Sequence, residues 1–143
     1  MSRSEEHEHI TKRAMIVCID VGYREDTARA ACIAFDDWDD ACSINEYTVD
    51  LVGIEPYVPG QFYRRELPCV LAVLDKLPTP PAVIVVDGYV WLDDNGRKGL
   101  GVHLYEALNE DTPIVGVAKT RFATATGAVE ILRGCSDRPL ILT

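Results

Sequence analysis

Lys12 to Val21 (KRAMIVCIDV) forms an almost wholly apolar run that halts at a single acid, Asp20, and predicts a central strand. Thr27 to Phe35 is rich in alanine, with Cys32 and Ile33. Its composition fits a strand or a short helix, and its length favours a strand. Asp36-Asp37-Trp38-Asp39-Asp40 has the polarity of a hairpin turn, and from Glu46 to Leu51 polar and apolar residues alternate. Successive side chains of a strand point to opposite faces, so Tyr47, Val49 and Leu51 should face a core while Glu46, Thr48 and Asp50 face water. The first third predicts an antiparallel meander of three strands.

The pattern changes at Gly53, where Gly-Ile-Glu-Pro-Tyr-Val-Pro-Gly interrupts regular structure through restricted φ and missing donors. Leu67, Val70, Leu71, Leu74 and Leu77 then recur at helical spacing, predicting a helix with Pro68 in its first turn and Glu66 at its entrance. Pro78-Thr79-Pro80-Pro81 stops it. Ala82 to Val86 reads as a short buried strand leaving through Asp87-Gly88, Gly99 to Leu108 as a second helix, and Pro113 to Val117 as another buried strand. Val129 to Arg133 and Leu140 to Leu142, joined by Gly134-Cys135-Ser136-Asp137, predict a closing hairpin. A meander followed by alternating helices and strands makes an α/β fold: a mixed sheet, antiparallel then parallel, with flanking helices.

At 143 residues and 48% hydrophobic, the chain fits one domain with one core, predicted over residues 13–143 behind a flexible polar head at 1–12. Lys and Arg number 14 against 23 Asp and Glu, a net charge of −9, which argues against a polyanion binder held by diffuse basic charge. No run approaches the roughly 20 apolar residues of a membrane span, and the acidic start MSRSEEHEH is unlike a signal peptide, so a cytoplasmic protein with no membrane partner is expected. The five cysteines Cys18, Cys32, Cys42, Cys69 and Cys135 lie far apart without a Cys-x-x-Cys pair, the pattern of buried free thiols. His7, His9 and His103 give a zinc site little support.

Asp20 and Asp87 each terminate a predicted strand, and Glu66 opens the helix between them. Singly, each has an ordinary explanation, since an Asp at a strand exit commonly caps a turn. Gathered together they would need a cation. Each pair about 4 Å apart repels by roughly 1 kcal/mol in water and about 4 kcal/mol at an effective dielectric of 20. A hard divalent ion such as Mg²⁺ removes that cost and is the common partner of carboxylates in phosphoryl transfer.

Five segments, in order, resemble the endonuclease V family: Ile19-Asp20-Val21-Gly22-Tyr23; Pro56-Tyr57-Val58-Pro59-Gly60 with Arg65-Glu66; Val85-Val86-Asp87-Gly88; Gly99-Leu100-Gly101-Val102-His103-Leu104; and Pro113-Ile114-Val115-Gly116-Val117-Ala118-Lys119. The resemblance implies an RNase H-like fold and a Mg²⁺-dependent nuclease, with Mn²⁺ as an alternative ion. Nicking near inosine or at distorted sites in DNA or RNA would leave 3′-hydroxyl and 5′-phosphate ends, a chemistry of DNA repair or RNA processing. It implies Asp20, Glu66 and Asp87 as metal ligands and Lys119 beside the reacting phosphate. Tyr57, held in a rigid turn by Pro56, Val58 and Pro59, would be the wedge that enters the nucleic acid. Gly60, Phe62, Gly88, Gly99 and Leu100 would line the pocket for the displaced base.

The chain departs from the family pattern at two places. Where the family has Asp-Gly-His-Gly and then His-Pro-Arg, this sequence reads Asp87-Gly88-Tyr89-Val90-Trp91-Leu92-Asp93-Asp94-Asn95-Gly96-Arg97. The loop is one residue longer before Gly99, and Asp93 or Asp94 falls at the place of the histidine. The last residues, Arg138 to Thr143, match a strand after which family members continue into an acid-bearing helix. A domain lacking that helix would leave one sheet face bare, for a second copy of the chain to cover. These departures define an alternative, a catalytically weak relative that binds nucleic acid or protein without cutting. Arg64, Arg65, Arg97, Lys98, Lys119 and Arg121 fall around the matched motifs as a local basic rim.

Overall fold

Val17, Ile19 and Val21 are buried on one face of β1 (Ile16–Arg24), with Cys18 half-buried and Asp20 and Gly22 exposed on the other. This period-two pattern sets the architecture around it. The computed structural model describes residues 14–121 and 127–143, so the polar head with His7 and His9 lies outside the described residues. β1 pairs antiparallel with β2 (Thr27–Phe35), which pairs antiparallel with β3 (Asn45–Val52), completing the predicted meander. β4 (Val83–Asp87) lies parallel to β1, and β5 (Ile114–Ala118) parallel to β4. The closing hairpin, β6 (Val129–Ile131) and β7 (Leu140–Leu142), joins antiparallel through β7, giving one sheet in the order β3-β2-β1-β4-β5-β7-β6.

Two helices, α1 (Phe62–Leu74) and α2 (Leu100–Ala107), supply the second layer. Their Cys69, Val70, Val73, Leu100 and Leu104 join Val17, Ile19, Val21, Ile84, Val86 and the β2 alanines in one core. Tyr47, Val49 and Leu51 pack against it from β3 as the alternation requires. Both helices therefore sit on the same sheet face. The opposite face presents Cys18, Val83, Val85, Val115 and Val117, all half-buried, together with the exposed Asp20 and Asp87.

Three expectations need correction. Asp20 does not end β1: the ladder continues from Asp20↔Ala31 to Arg24↔Thr27, because Asp20, Gly22 and Arg24 occupy the outward positions of a strand whose inward ones remain apolar. The first helix starts at Phe62 rather than near Leu67, so Glu66 lies within it and Pro68 is interior. The buried stripe is Glu66, Cys69, Val70 and Val73, with Leu67, Leu71 and Leu74 only partly buried beside it, and Leu77 lies beyond the end of the helix. An acid on the stripe hid the first turns from a hydrophobic pattern. Pro68 removes the donor that would reach Arg64, and α1 tolerates this while packed on the sheet. Finally, Cys32 and Cys69 are buried and Cys18 half-buried, but Cys42 and Cys135 are exposed because they lie in the β2–β3 and β6–β7 connections.

Candidate functional site

β1 and β4 run in parallel register with Ile19 beside Val86, which brings the next residues, Asp20 and Asp87, side by side on the open face. Asp87 is the last residue of β4, and the Gly88 N–H donates to the Val117 carbonyl at 2.8 Å, fixing the strand exit against β5. Glu66 comes from α1 and is only 3% exposed. Tyr23, near the end of β1, donates its hydroxyl to Glu66 Oε2, and the Arg65 guanidinium lies 3.6 Å over the Tyr23 ring. Lys119 follows β5 and is exposed.

Electrostatics link these groups. Burial pushes the Glu66 carboxyl up to about 7, the Tyr23 hydrogen bond opposes that rise, and the negative charges of Asp20 and Asp87 add to it. Asp87, although exposed, is also raised, first by partial desolvation of its carboxyl at the strand exit and then by Asp20, while Lys119 lowers it. Asp20, Glu66, Asp87 and Lys119 thus form one interacting set drawn from β1, α1, β4 and the end of β5. The negative charges of Asp20 and Asp87 both act on Glu66, and the three carboxylates are hard oxygen donors of the kind a divalent cation takes. Among the described residues, the one group of donors within 4.8 Å of one another is instead Asp37, Asp39 and Asp40. That group is a turn, in which Asp40 Oδ2 accepts from the N–H of Asp36 at 3.0 Å and of Asp37 at 2.9 Å. Since β2 runs antiparallel to β1, this turn lies beyond the Ile16 end of the sheet, away from Asp87.

A cleft of about 290 Å³ lies between the Pro-Tyr-Val-Pro turn and the start of α2, lined by Tyr57, Gly60, Phe62, Gly99 and Leu100 together with Tyr63, Tyr89, Leu92, Arg97 and Lys98. Gly88 borders the same region, since a Cβ there would stand 3.9 Å from Cε1 of Phe62. Tyr57 and Val58 are exposed at 56% and 44%, as a turn that meets a ligand would be. Tyr63 and Tyr89 were not anticipated as lining residues. A Tyr at helix position two and one at a loop start carry no periodic signal, although their clustering with glycines could have suggested them.

Gly99 has a specific reason to be glycine. A Cβ there would stand 2.3 Å from the Tyr89 carbonyl oxygen and 2.8 Å from that of Val90. Both obstacles are backbone, so they cannot rotate away. Gly99→Ala is expected to cost at least about 1–3 kcal/mol of stability and to open the cleft, measured as a lower urea midpoint at unchanged slope.

Asp93 and Asp94 are placed elsewhere, in a second cleft of about 460 Å³ with Trp91, Gly96, Gly127, Ala128 and Thr143. Asp93 Oδ1 accepts from the N–H groups of Asn95 and Arg97, each at 3.0 Å, which makes it the organiser of its own loop. Neither acid is among the charges that shift Glu66 or Asp87. The basic rim is also partly committed: Lys98 pairs with Glu106, Arg121 with Glu130, and Arg97 lies 3.8 Å from Asp93. His103 stacks on Tyr63 with ring centroids 3.6 Å apart, a packing role.

The family model described as Endonuclease V matches residues 1–139 of this chain. The chain belongs to the Endonuclease V family. Endonuclease V of Streptomyces coelicolor is 37% identical over 125 residues, covering 86% of this chain and 52% of that protein. Endonuclease V of Nostoc punctiforme is 34% identical over 124 residues, covering 86% of this chain and 54% of that protein. The crystal structure of Endonuclease V from Streptomyces avermitilis superposes with a TM-score of 0.71 at 28% identity, over 91% of this chain and 64% of that one. Human ENDOV shares the fold at a TM-score of 0.70 and 20% identity, over 93% of this chain and 70% of its own. The Endonuclease V fold is RNase H-like, and the mixed sheet described above is that fold. The chain spans about half the length of the curated relatives it matches.

Proposed function

We propose that this chain is a Mg²⁺-dependent endonuclease, also served by Mn²⁺, that nicks DNA or RNA near inosine and leaves 3′-hydroxyl and 5′-phosphate ends. The observation that carries this reading is the placement of Asp20 beside Asp87 by the parallel register of β1 and β4, with the buried Glu66 of α1 near enough for both of their charges to act on it. Asp20, Glu66 and Asp87 would hold the metal, which when bound supplies an activated water and charge stabilisation at the departing 3′-oxygen. Lys119, a point charge at the strand end, would bind a phosphate oxygen and balance the charge that develops there. The exposed Tyr57, fixed by its flanking prolines, would stack in the gap left by the displaced base, recovering roughly 1–3 kcal/mol of the unstacking cost. The cleft of Gly60, Phe62, Gly99 and Leu100 would receive that base, with Gly88 at its border. Backbone can approach closely there because the glycines carry no side chain.

The test is incubation of the purified chain and Mg²⁺ with inosine-containing DNA, inosine-containing RNA and adenosine controls of the same sequence. The expected result is a single nick that depends on inosine. A specific observation favours a second reading: Asp93, one of the two acids at the position of the family histidine, is occupied in shaping its loop. On that reading the chain binds inosine nucleic acid without cutting, and saturable binding without product in the same incubation would identify it.

A further inference from the structure

Glu66 is a charged group on a helix face that otherwise buries Cys69, Val70 and Val73. A long acidic side chain there has several rotamers to choose among, and its neighbours restrict them. Tyr23, from the neighbouring strand, donates its hydroxyl to Glu66 Oε2 and leaves Oε1 as the oxygen not committed to that bond. The Tyr23 ring is covered by the guanidinium of Arg65, 3.6 Å from its centroid. Arg65 Nε is buried and makes no hydrogen bond, so the guanidinium is held on the ring at the cost of one unsatisfied donor. Arg65 and Glu66 are consecutive on α1, and the ring between their head groups belongs to β1. The arrangement ties the helix acid to the strand that carries Asp20.

We infer that Tyr23 is a positioning residue for Glu66 as a metal ligand, with Arg65 bracing the Tyr23 ring. This rests on the reading of Asp20, Glu66 and Asp87 as the metal site. The hydroxyl occupies one carboxylate oxygen and turns the other toward a cation shared with the two aspartates. It does so before the cation arrives, so binding does not have to order the side chain. Hydrogen-bonded partners of metal ligands typically contribute about 10–100-fold to metal affinity. A single bond to one of three ligands belongs at the lower end of that range.

The experiment is Mn²⁺ titration calorimetry on the full chain at fixed pH, comparing wild type with Tyr23→Phe, Arg65→Met, Glu66→Gln and the pair Tyr23→Phe with Glu66→Gln. Tyr23→Phe keeps the ring and its packing. It is expected to weaken Mn²⁺ binding roughly tenfold, Arg65→Met to weaken it less, and Tyr23→Phe to have no further effect once Glu66 is Gln. In nicking assays at limiting metal, Tyr23→Phe lowers kcat while KM for the oligonucleotide stays unchanged. Wild-type affinity in Tyr23→Phe, or the same loss with and without Glu66, overturns the positioning role alone. Asp87→Ala that binds Mn²⁺ as wild type does, or a wild type that binds none, overturns the metal-site reading and this inference with it.

Discussion

Asp87→Ala is expected to abolish the proposed Mg²⁺-dependent nicking of a deoxyinosine oligonucleotide, by roughly a thousandfold or more, and Asp20→Ala to do the same. Metal-ligand carboxylates supply several kcal/mol of transition-state stabilisation, and each 1.36 kcal/mol is a factor of ten in rate. The fold should survive both changes. Asp20 and Asp87 are exposed on the open sheet face and contribute no core contact. Each raises the pKa of a neighbouring acid, so removing either relieves repulsion in the metal-free protein. Thermal midpoints without metal are therefore expected to equal or exceed that of wild type. The stabilisation that Mg²⁺ gives to wild type should be lost. A variant that is inactive because it is unfolded would show the opposite midpoint, so the two measurements together separate chemistry from folding.

The metal-free protein is expected to lose stability as pH rises from about 4.5 to about 7, because Glu66 is raised to about 7 in the fold. In that interval the folded chain holds a proton that the unfolded chain has released, so the contribution is fully present at low pH and vanishes above the folded value. A carboxyl moved this far accounts for about 3 kcal/mol. Exposed pairs such as Arg29 with Asp50 act in the opposite direction at more acidic pH, since Asp50 is lowered by Arg29. The comparison that isolates Glu66 is wild type against Glu66→Gln, which keeps an oxygen for the Tyr23 hydroxyl but does not titrate. Urea unfolding from pH 4 to 9 should show a difference that changes across this interval. Mg²⁺ should restore wild-type stability above pH 7 by favouring the ionised form.

Much of the sheet was legible because its chemistry is local. The alternation from Glu46 to Leu51 placed β3 and its inward face, whereas α1 ends at Leu74, short of the Pro78 to Pro81 run expected to stop it. What the pattern misread were positions where an acid interrupts the amphipathic order. Glu66 occupies a core position of α1, and a hydrophobic stripe that starts with an acid looks like a helix that starts later. Asp20 stands mid-strand with only its outward face to signal it, so a run judged on apolarity ends too soon. The side-by-side placement of Asp20 and Asp87 follows from parallel register, a long-range fact that no single segment contains. The same holds for the cleft, whose lining comes from the turn after β3, from α1 and from the start of α2. The acidic excess of the sequence also divides by place. Part of it caps the Asp36 to Asp40 turn at one end of the sheet, and part of it converges between β1, α1 and β4.

The reading of Asp20, Glu66 and Asp87 as the metal ligands of a nuclease stands or falls on the reaction itself. Its most direct test is a single-turnover assay of the purified wild-type protein on a deoxyinosine duplex with Mg²⁺, with Mn²⁺ and with chelator, followed by analysis of the product ends. Nicking is expected with either ion, none with chelator, and the products should carry 3′-hydroxyl and 5′-phosphate termini. Intact substrate with both ions, from protein shown to be folded, would contradict it.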